Sequence, residues 1–179
     1  IIYKLGNRLE LSETKATLSH LRNSIGRDLS ETVAVWPLMF EEVSQEYLSR
    51  SGKPTYQENA ILSSLQLYAL HQQGKNKAVH DSSGDSVGKA LSNVRDRENV
   101  ALDRRFNAMV VSGRFKELTT HLRHLISILK QKTETKIDYA KLAEDLYWYQ
   151  VSEESANRMR MRWGQDYYFT QGKKEEKDE

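Results

Sequence analysis

The side chains best suited to chemistry in this sequence are the cations of LDRRFNAMVVSGRFKELTTHLRHL, residues 102–125. Arg104 and Arg105 are adjacent, and Arg114 and Arg123 follow among regularly spaced apolar residues. A guanidinium group presents a planar fork of N–H donors that binds a phosphate through two hydrogen bonds at once. The stretch is therefore either the solvated side of amphipathic helices or a surface that holds a polyanion.

The net charge is only +2, and charge pattern alone is more typical of a solvated helix face, but the preference for arginine and the adjacent Arg104 and Arg105 favour the polyanion surface. Residues 87–132 contain ten Lys and Arg against four Asp and Glu, and arginine outnumbers lysine there. Residues 133–157 contain six acids against two lysines, and Arg158, Arg160 and Arg162 follow. A basic segment beside an acidic one is typical of a protein with one face for a polyanion and another for protein partners.

Other chemistries have weaker support in the sequence. His121 and His124 follow Glu117 on one helix face, but no further ligand at a suitable spacing completes a metal site. No nucleophile motif accompanies His71 or His80, for which we predict structural hydrogen bonds. We therefore predict no catalytic residue, no metal and no cofactor, and a protein that is not an enzyme.

Two further motifs also give weak support for a chemical role. The segment GDSVGK lacks the spacing of a nucleotide-hydrolysing phosphate loop and has no strand–helix–strand context. The aromatic residues of the last two helices, from Tyr147 to Tyr168, are predicted to pack the core rather than to stack on bases.

The elements that must position these residues are helices, and the predicted fold class is all-α, with no competing strand pattern. YQENAILSSLQLYALHQQG is predicted to be the most buried helix, and Ser86 and Asp138 are predicted helix N-caps. One helix has a one-faced apolar stripe, formed by Phe115, Leu118, Leu122, Leu125, Ile126 and Leu129. WPLMFEEVSQEYL is predicted to be another helix, with these residues facing inward: Met39, Phe40, Val43 and Tyr47.

The chain is predicted to have two helical lobes. Residues 1–74 form the N-terminal lobe, and residues 87–171 form the C-terminal one. Between them, residues 75–86 are rich in Gly, Ser, Asp and Asn, which predicts a connecting loop. Residues 172–179 are charged and lack apolar side chains, which predicts a disordered tail.

Composition excludes several classes of protein. The 179 residues include no cysteine, which excludes thiol catalysis, cysteine-ligated zinc and disulfides, and fits a cytoplasmic location. No apolar run has the length of a membrane span, and the first residues do not resemble a signal peptide. Because the chain begins at Ile1 rather than Met, we expect further residues ahead of it in the full protein.

Several stretches, taken in order, resemble a known family. HDSSGDSVGKAL, then DRRFNAMVVSGRFKELTTHLRHLISIL, IDYAKLAEDLYWYQ and RMRWGQDYYF are similar to the CasB family, the small subunit of the type I-E CRISPR Cascade complex. The resemblance covers residues 15–170. It implies an all-α protein of two packed lobes without enzymatic activity. Cleavage then belongs to a separate, recruited helicase-nuclease.

The resemblance also implies partners and contact residues. The partners are the backbone and large subunits of Cascade, a second copy of this chain, the guide RNA and the target DNA, with no membrane. A basic face contacts the target strand and the displaced strand and stabilises the R-loop. The implied nucleic-acid contacts are Arg22, Lys89, Arg104, Arg105 and Arg123. Arg114 and Lys77 join this set by their position on the same face or loop.

Two other functions remain open from the sequence. One is a purely structural helical adaptor whose arginines pair with acidic protein surfaces. The other is a free-standing helical regulator that binds nucleic acid, although no helix-turn-helix signature is evident.

Overall fold

The protein is built mainly from α-helices. A computed structural model describes residues 1–96 and 98–169, and these ranges contain nine α-helices and one short strand. The N-terminal half contains α1 (Ile2–Gly6), α2 (Ser12–Asn23), α3 (Trp36–Glu42) and α4 (Tyr56–Gln72). After β1 (His80–Asp85) come α5 (Val87–Ser92), α6 (Ala101–Val110), α7 (Phe115–Lys132), α8 (Tyr139–Val151) and α9 (Glu153–Phe169). The predicted all-α class is confirmed.

Helix α4 is the central element, and it packs against α2, α7 and α8. It is apolar around most of its circumference and is accordingly buried on several sides, as predicted. Its buried polar side chains reach neighbouring backbone. Ser64 Oγ donates to the Tyr139 carbonyl at 2.6 Å, and Gln66 Nε2 donates to the Ser24 carbonyl at 2.8 Å. One apolar core therefore contains residues from both halves of the chain.

Helix α7 buries the predicted apolar stripe. Phe115 is partly buried, and the other five members of the stripe have no exposed surface. The helix packs against α4 and α6. Because the stripe is held against the core, the basic side chains of α7 lie along its edges and its outer face.

Two predicted helix starts are confirmed. Ser86 Oγ accepts a hydrogen bond from the Lys89 backbone N–H at 3.2 Å, and Asp138 accepts one from the Lys141 backbone N–H at 3.0 Å. Each cap satisfies a backbone N–H that has no partner within its own helix.

The segment predicted as a loop, residues 75–86, contains the strand β1. Its backbone pairs with the turn before α8, since Ile137 N–H donates to the Val79 carbonyl at 3.0 Å and Asp138 N–H donates to the Asp85 carbonyl at 3.1 Å. The strand β1 was not expected from the sequence of this segment, although the all-α class holds. Its partner lies more than 50 residues away, so no local alternation of apolar and polar residues marks it.

The inward-facing set predicted for the second helix was half wrong. Met39 and Val43 are buried, whereas Phe40 is 46% exposed and Tyr47 is 43% exposed. The α-helix ends at Glu42, and Gln45–Tyr47 form a separate 3-10 turn. A single helical period extended across this break therefore assigns Tyr47 to the wrong face.

Several predictions lie at the limits of the structure. The predicted tail, residues 172–179, lies outside the described residues, as do the last two residues of the predicted C-terminal lobe. The division into two lobes stays a prediction. Among the helices of residues 1–96 and 98–169, none has the length and apolar content needed to cross a membrane.

Candidate nucleic-acid interface

Three cations from separate segments meet where α2, the end of α4 and α7 come together. Arg22 of α2 and Lys75, just beyond α4, line one groove. Partial burial and the charges of Arg22 and Lys75 lower the pKa of Lys130 on α7. Lys75 is paired with Glu134, whereas Arg22 and Lys130 have no carboxylate within ion-pair distance among the described residues. Like charges held together raise the energy of the free protein, and a polyanion would relieve that repulsion.

A second group of cations lines a cleft nearer the start of α7. Arg27, in the turn after α2, shares this cleft with Lys116 and Arg123 of α7. All three side chains are exposed. In the described part of the chain, none of them has a carboxylate within ion-pair distance.

Helix geometry joins the two groups. Lys116, Arg123 and Lys130 are seven residues apart, so they lie on one side of α7 at intervals of about 10 Å. We call the resulting surface the α7 basic band. Its members are Arg22, Arg27, Lys75, Lys116, Arg123 and Lys130.

With a single exception, the predicted contact residues have no carboxylate partner among the described residues. Among residues 1–96 and 98–169, no carboxylate pairs with any of six of them, namely Arg22, Lys77, Arg104, Arg105, Arg114 and Arg123. The exception is Lys89, whose ammonium lies 2.8 Å from Asp85. That ion pair neutralises Lys89, in contrast to the other six.

The structure brings some of the predicted residues together and leaves others apart. Arg22 and Arg123 belong to the α7 basic band. Arg104 and Arg105 are exposed on α6, and Arg114 is exposed at the N-cap of α7. Helix α6 packs against α7, and Arg114 stands two residues before Lys116 of the band. The described cations therefore form the α7 basic band and a second set on and beside α6.

A family model described as CRISPR-associated protein Cse2 matches residues 17–168. The chain belongs to the Cse2 family of CRISPR-associated proteins. Comparison with curated protein sequences gave no match.

Solved structures of Cse2-family proteins have the same fold. CasB from Thermobifida fusca aligns with a TM-score of 0.73 at 23% identity, over 93% of both chains. A CRISPR-associated protein of the Cse2 family from Thermus thermophilus aligns at 0.67 and 20% identity, over 93% of this chain and 94% of its own. A structure described as CasB from Thermus thermophilus aligns at 0.65 and 20% identity, over 93% and 95%.

In this Cse2-family chain, sequence reasoning named only two of the six members of the α7 basic band, Arg22 and Arg123, as contacts. Arg27, Lys75 and Lys130 were not among the predicted contacts, and Lys116 was noted only as part of the basic segment. The seven-residue spacing of Lys116, Arg123 and Lys130 was readable in the sequence. The approach of Arg27 and Lys75 to that line depends on helix packing, which has no local signal.

The arginine trio near the end of this chain has carboxylate partners. Arg158 pairs with Glu154 and Arg160 with Glu153, while Arg162 pairs with the buried Asp145. Arg160 also donates to the Ser112 carbonyl at 2.6 Å. Arg162 joins α9 to α8 and Arg160 joins it to the turn after α6, which indicates a structural role for these two, while the Arg158–Glu154 pair lies within α9.

His80 and two aromatic residues of α9 have structural roles in this chain. The His80 ring nitrogen accepts a hydrogen bond from the Tyr139 backbone N–H at 3.1 Å. Trp163 and Tyr167 have no exposed surface, as predicted for packing residues, whereas Trp148 and Tyr168 are exposed. Within the described ranges, no group of three or more His, Asp or Glu side chains is arranged to hold a metal ion.

His71 links the buried end of α4 to the charges of the band. It is fully buried, and its Nδ1 lies 2.9 Å from the Tyr139 hydroxyl. Burial and the charges of Lys75 and Lys130 lower the pKa of His71 to about 4, whereas the charge of Glu134 opposes the shift. His71 is therefore neutral in the folded protein at physiological pH.

Acidification is expected to destabilise the fold through His71. Its pKa in the folded state lies below the unfolded value, so the unfolded chain takes up the proton first. The stabilising contribution of neutral His71 is present above a pH of about 6.5 and is lost as the pH falls toward 4. At a pH of about 5 the free energy of unfolding is lower by about 2 kcal/mol. Urea unfolding of wild type and His71→Gln near pH 7 and near pH 5 measures this difference.

Between pH 7 and pH 5, the free energy of unfolding of His71→Gln should fall by about 2 kcal/mol less than that of wild type. His20→Gln, at an exposed position on α2, should keep the wild-type dependence. Equal pH dependence in His71→Gln and wild type would contradict the assignment.

Proposed function

We propose that this Cse2-family chain is the non-catalytic small subunit of a type I-E Cascade surveillance complex. Its cations hold the phosphate backbone of the target strand and the displaced strand and so stabilise the R-loop. One observation carries the proposal: six of the seven predicted contact residues, and most of the α7 basic band, have no carboxylate partner among the described residues. The arginines of α9, in contrast, are neutralised.

Modest contacts are sufficient for this function. R-loop formation exchanges a DNA duplex for a guide–target hybrid of similar stability, so a small additional free energy decides the balance. Each cation that neutralises a phosphate releases a condensed counterion, and the effect accumulates over the surface without reading sequence. A surface several helical turns long, like the α7 basic band, suits a strand better than a compact ligand.

The proposal assigns no reaction to this chain. It assigns cleavage to a separate subunit, and assembly to contacts with the backbone and large subunits and a second copy.

Removing two uncompensated cations is expected to weaken binding in a salt-dependent manner. We predict that Arg104→Ala with Arg105→Ala, and separately Arg22→Ala with Arg123→Ala, each reduce the slope of log K against log salt by about one to two units. The affinity of the assembled complex for a target duplex, titrated at several salt concentrations, measures the slope. The loss should be uniform across target sequences.

A control variant removes the same charge from neutralised positions. Lys4→Ala with Arg158→Ala deletes two exposed cations that are paired with Glu42 and Glu154. Its salt slope should equal that of wild type. If the arginine variants keep the wild-type slope but assemble poorly, their arginines contact protein and the chain is a structural adaptor. Tight, specific duplex binding by the isolated chain would favour a free-standing regulator.

A further inference from the structure

The cleft at the start of the α7 basic band has features that phosphate binding does not require. It has a volume of about 110 Å³ and lies between residues 25–28, α4 and α7. Its apolar walls are formed by Ile25, Leu62, Leu67 and Phe115. A single water needs about 10–15 Å³, so the cleft has room for a flat ring. A phosphate gains nothing from apolar walls, whereas a base has two apolar faces.

Three polar side chains of the cleft present hydrogen-bond acceptors, beside the cationic donors of its lining. Both N–H groups of the Gln66 amide are used, since Nε2 donates to the Ser24 carbonyl at 2.8 Å and to Ser24 Oγ at 3.0 Å. Gln66 therefore offers the cleft only its carbonyl oxygen. Thr120 has likewise committed its hydroxyl hydrogen to the Lys116 carbonyl, at 2.7 Å. Asp28 adds a carboxylate, so a ligand of this cleft should supply donors.

The rim of the cleft suits the charge of a nucleic-acid strand. Arg27, Lys116 and Arg123 line it, and in the described residues they have no acidic partner. A base that enters the cleft has a phosphate on each side, and these cations are in place to meet them.

We propose that this cleft takes one unpaired nucleobase of the strand whose phosphates lie along the α7 basic band, and that it favours bases with an exocyclic amino group. The proposal rests on the function proposed above. Cytosine and adenine present an amino donor to the acceptors of the cleft. Thymine has N3–H as its single base-edge donor, between two carbonyl oxygens, so it would pair fewer of these acceptors.

Three single-stranded oligonucleotides of equal length and charge test the proposal without any mutation. They are oligo-dC, oligo-dT and an abasic oligomer, each fluorescently labelled and titrated with the full chain at low salt. Stacking of a base raises affinity, so oligo-dC should bind about tenfold more tightly than the abasic oligomer. Oligo-dC should also bind about five- to tenfold more tightly than oligo-dT.

Filling the cleft should remove the preference for bases without changing charge. Ser63→Leu and Thr120→Leu each place a larger apolar side chain in the lining. In either variant, oligo-dC and the abasic oligomer should bind equally, and the salt slope should stay at its wild-type value. Ser12→Leu makes the same serine-to-leucine change at an exposed position at the start of α2 and should retain the preference.

Each outcome has a distinct meaning. Equal binding of all three oligomers by wild type, with a normal salt slope, overturns the base site and leaves the phosphate-binding function standing. Failure of wild type to bind any oligomer even at low salt overturns both. A cleft that instead docks a protein partner would show poor assembly of the leucine variants with the oligo-dC preference intact, which also overturns the base site.

Discussion

Replacing Gly88 by alanine is expected to lower the free energy of unfolding by about 3 kcal/mol. Gly88 is buried in α5, at its contact with α9. A Cβ atom at this position would lie 2.2 Å from the Trp163 carbonyl oxygen and 3.1 Å from Asp166 Cβ. The first of these atoms belongs to a helix backbone, which cannot move aside as a flexible side chain can. The two helices must therefore separate, and the buried contacts between them are lost.

A second glycine provides the control. Gly164 is in α9, and a Cβ atom there would have no heavy atom within 4 Å. Alanine is favoured over glycine inside a helix by about 0.5–1 kcal/mol, so Gly164→Ala should stabilise the protein. Urea unfolding of the two variants should give changes of opposite sign. If Gly88→Ala is neutral, α5 and α9 do not approach as closely as the structure shows.

Replacing Asp145 by alanine is expected to lower the free energy of unfolding by about 2–3 kcal/mol. Asp145 is 2% exposed on α8, and it accepts a hydrogen bond from the Trp163 indole N–H at 2.7 Å and another from Arg162. Burial raises the pKa of Asp145, although these two partners oppose the shift. Alanine would leave the buried indole N–H without an acceptor and would open a cavity between α8 and α9.

Asparagine separates the two roles of this side chain. Asp145→Asn retains a carbonyl oxygen for Trp163 and removes the buried charge, and the partly exposed Arg162 can turn to water. Its cost should therefore be about 1 kcal/mol. Glu144→Ala, at an exposed neighbour, should change stability by less than about 1 kcal/mol. Similar losses in the alanine and asparagine variants of Asp145 would show that the charge, rather than the acceptor, is what matters.

Local chemistry predicted the helices well because each one is encoded by neighbouring residues. The stripe from Phe115 to Leu129 has a helical period, and the caps Ser86 and Asp138 act within three residues of their own positions. The errors arose where a local pattern was interrupted or where the partner was distant. Tyr47 lies beyond the end of α3, and β1 forms by pairing with the turn at Ile137.

The candidate site was predictable only in part for the same reason. Arg123 could be named from its place in an amphipathic helix and from the family resemblance. Arg27 and Lys75 could not, because only the packing of α2 and α4 on α7 brings them to the band. The sequence also could not show which cations are neutralised. Lys89 resembles Arg104 in sequence, but only Lys89 has a carboxylate at ion-pair distance among the described residues.

The sequence by itself determined the all-α class, the faces of the long helices and membership of the Cse2 family, since these depend on residue type and short spacing. The tertiary structure decided which charges remain uncompensated, which of them form the α7 basic band, and that a cleft with apolar walls opens beside it. These are properties of distances between segments far apart in the chain. Electrostatic energy and cavity shape depend on those distances, and a linear pattern does not contain them.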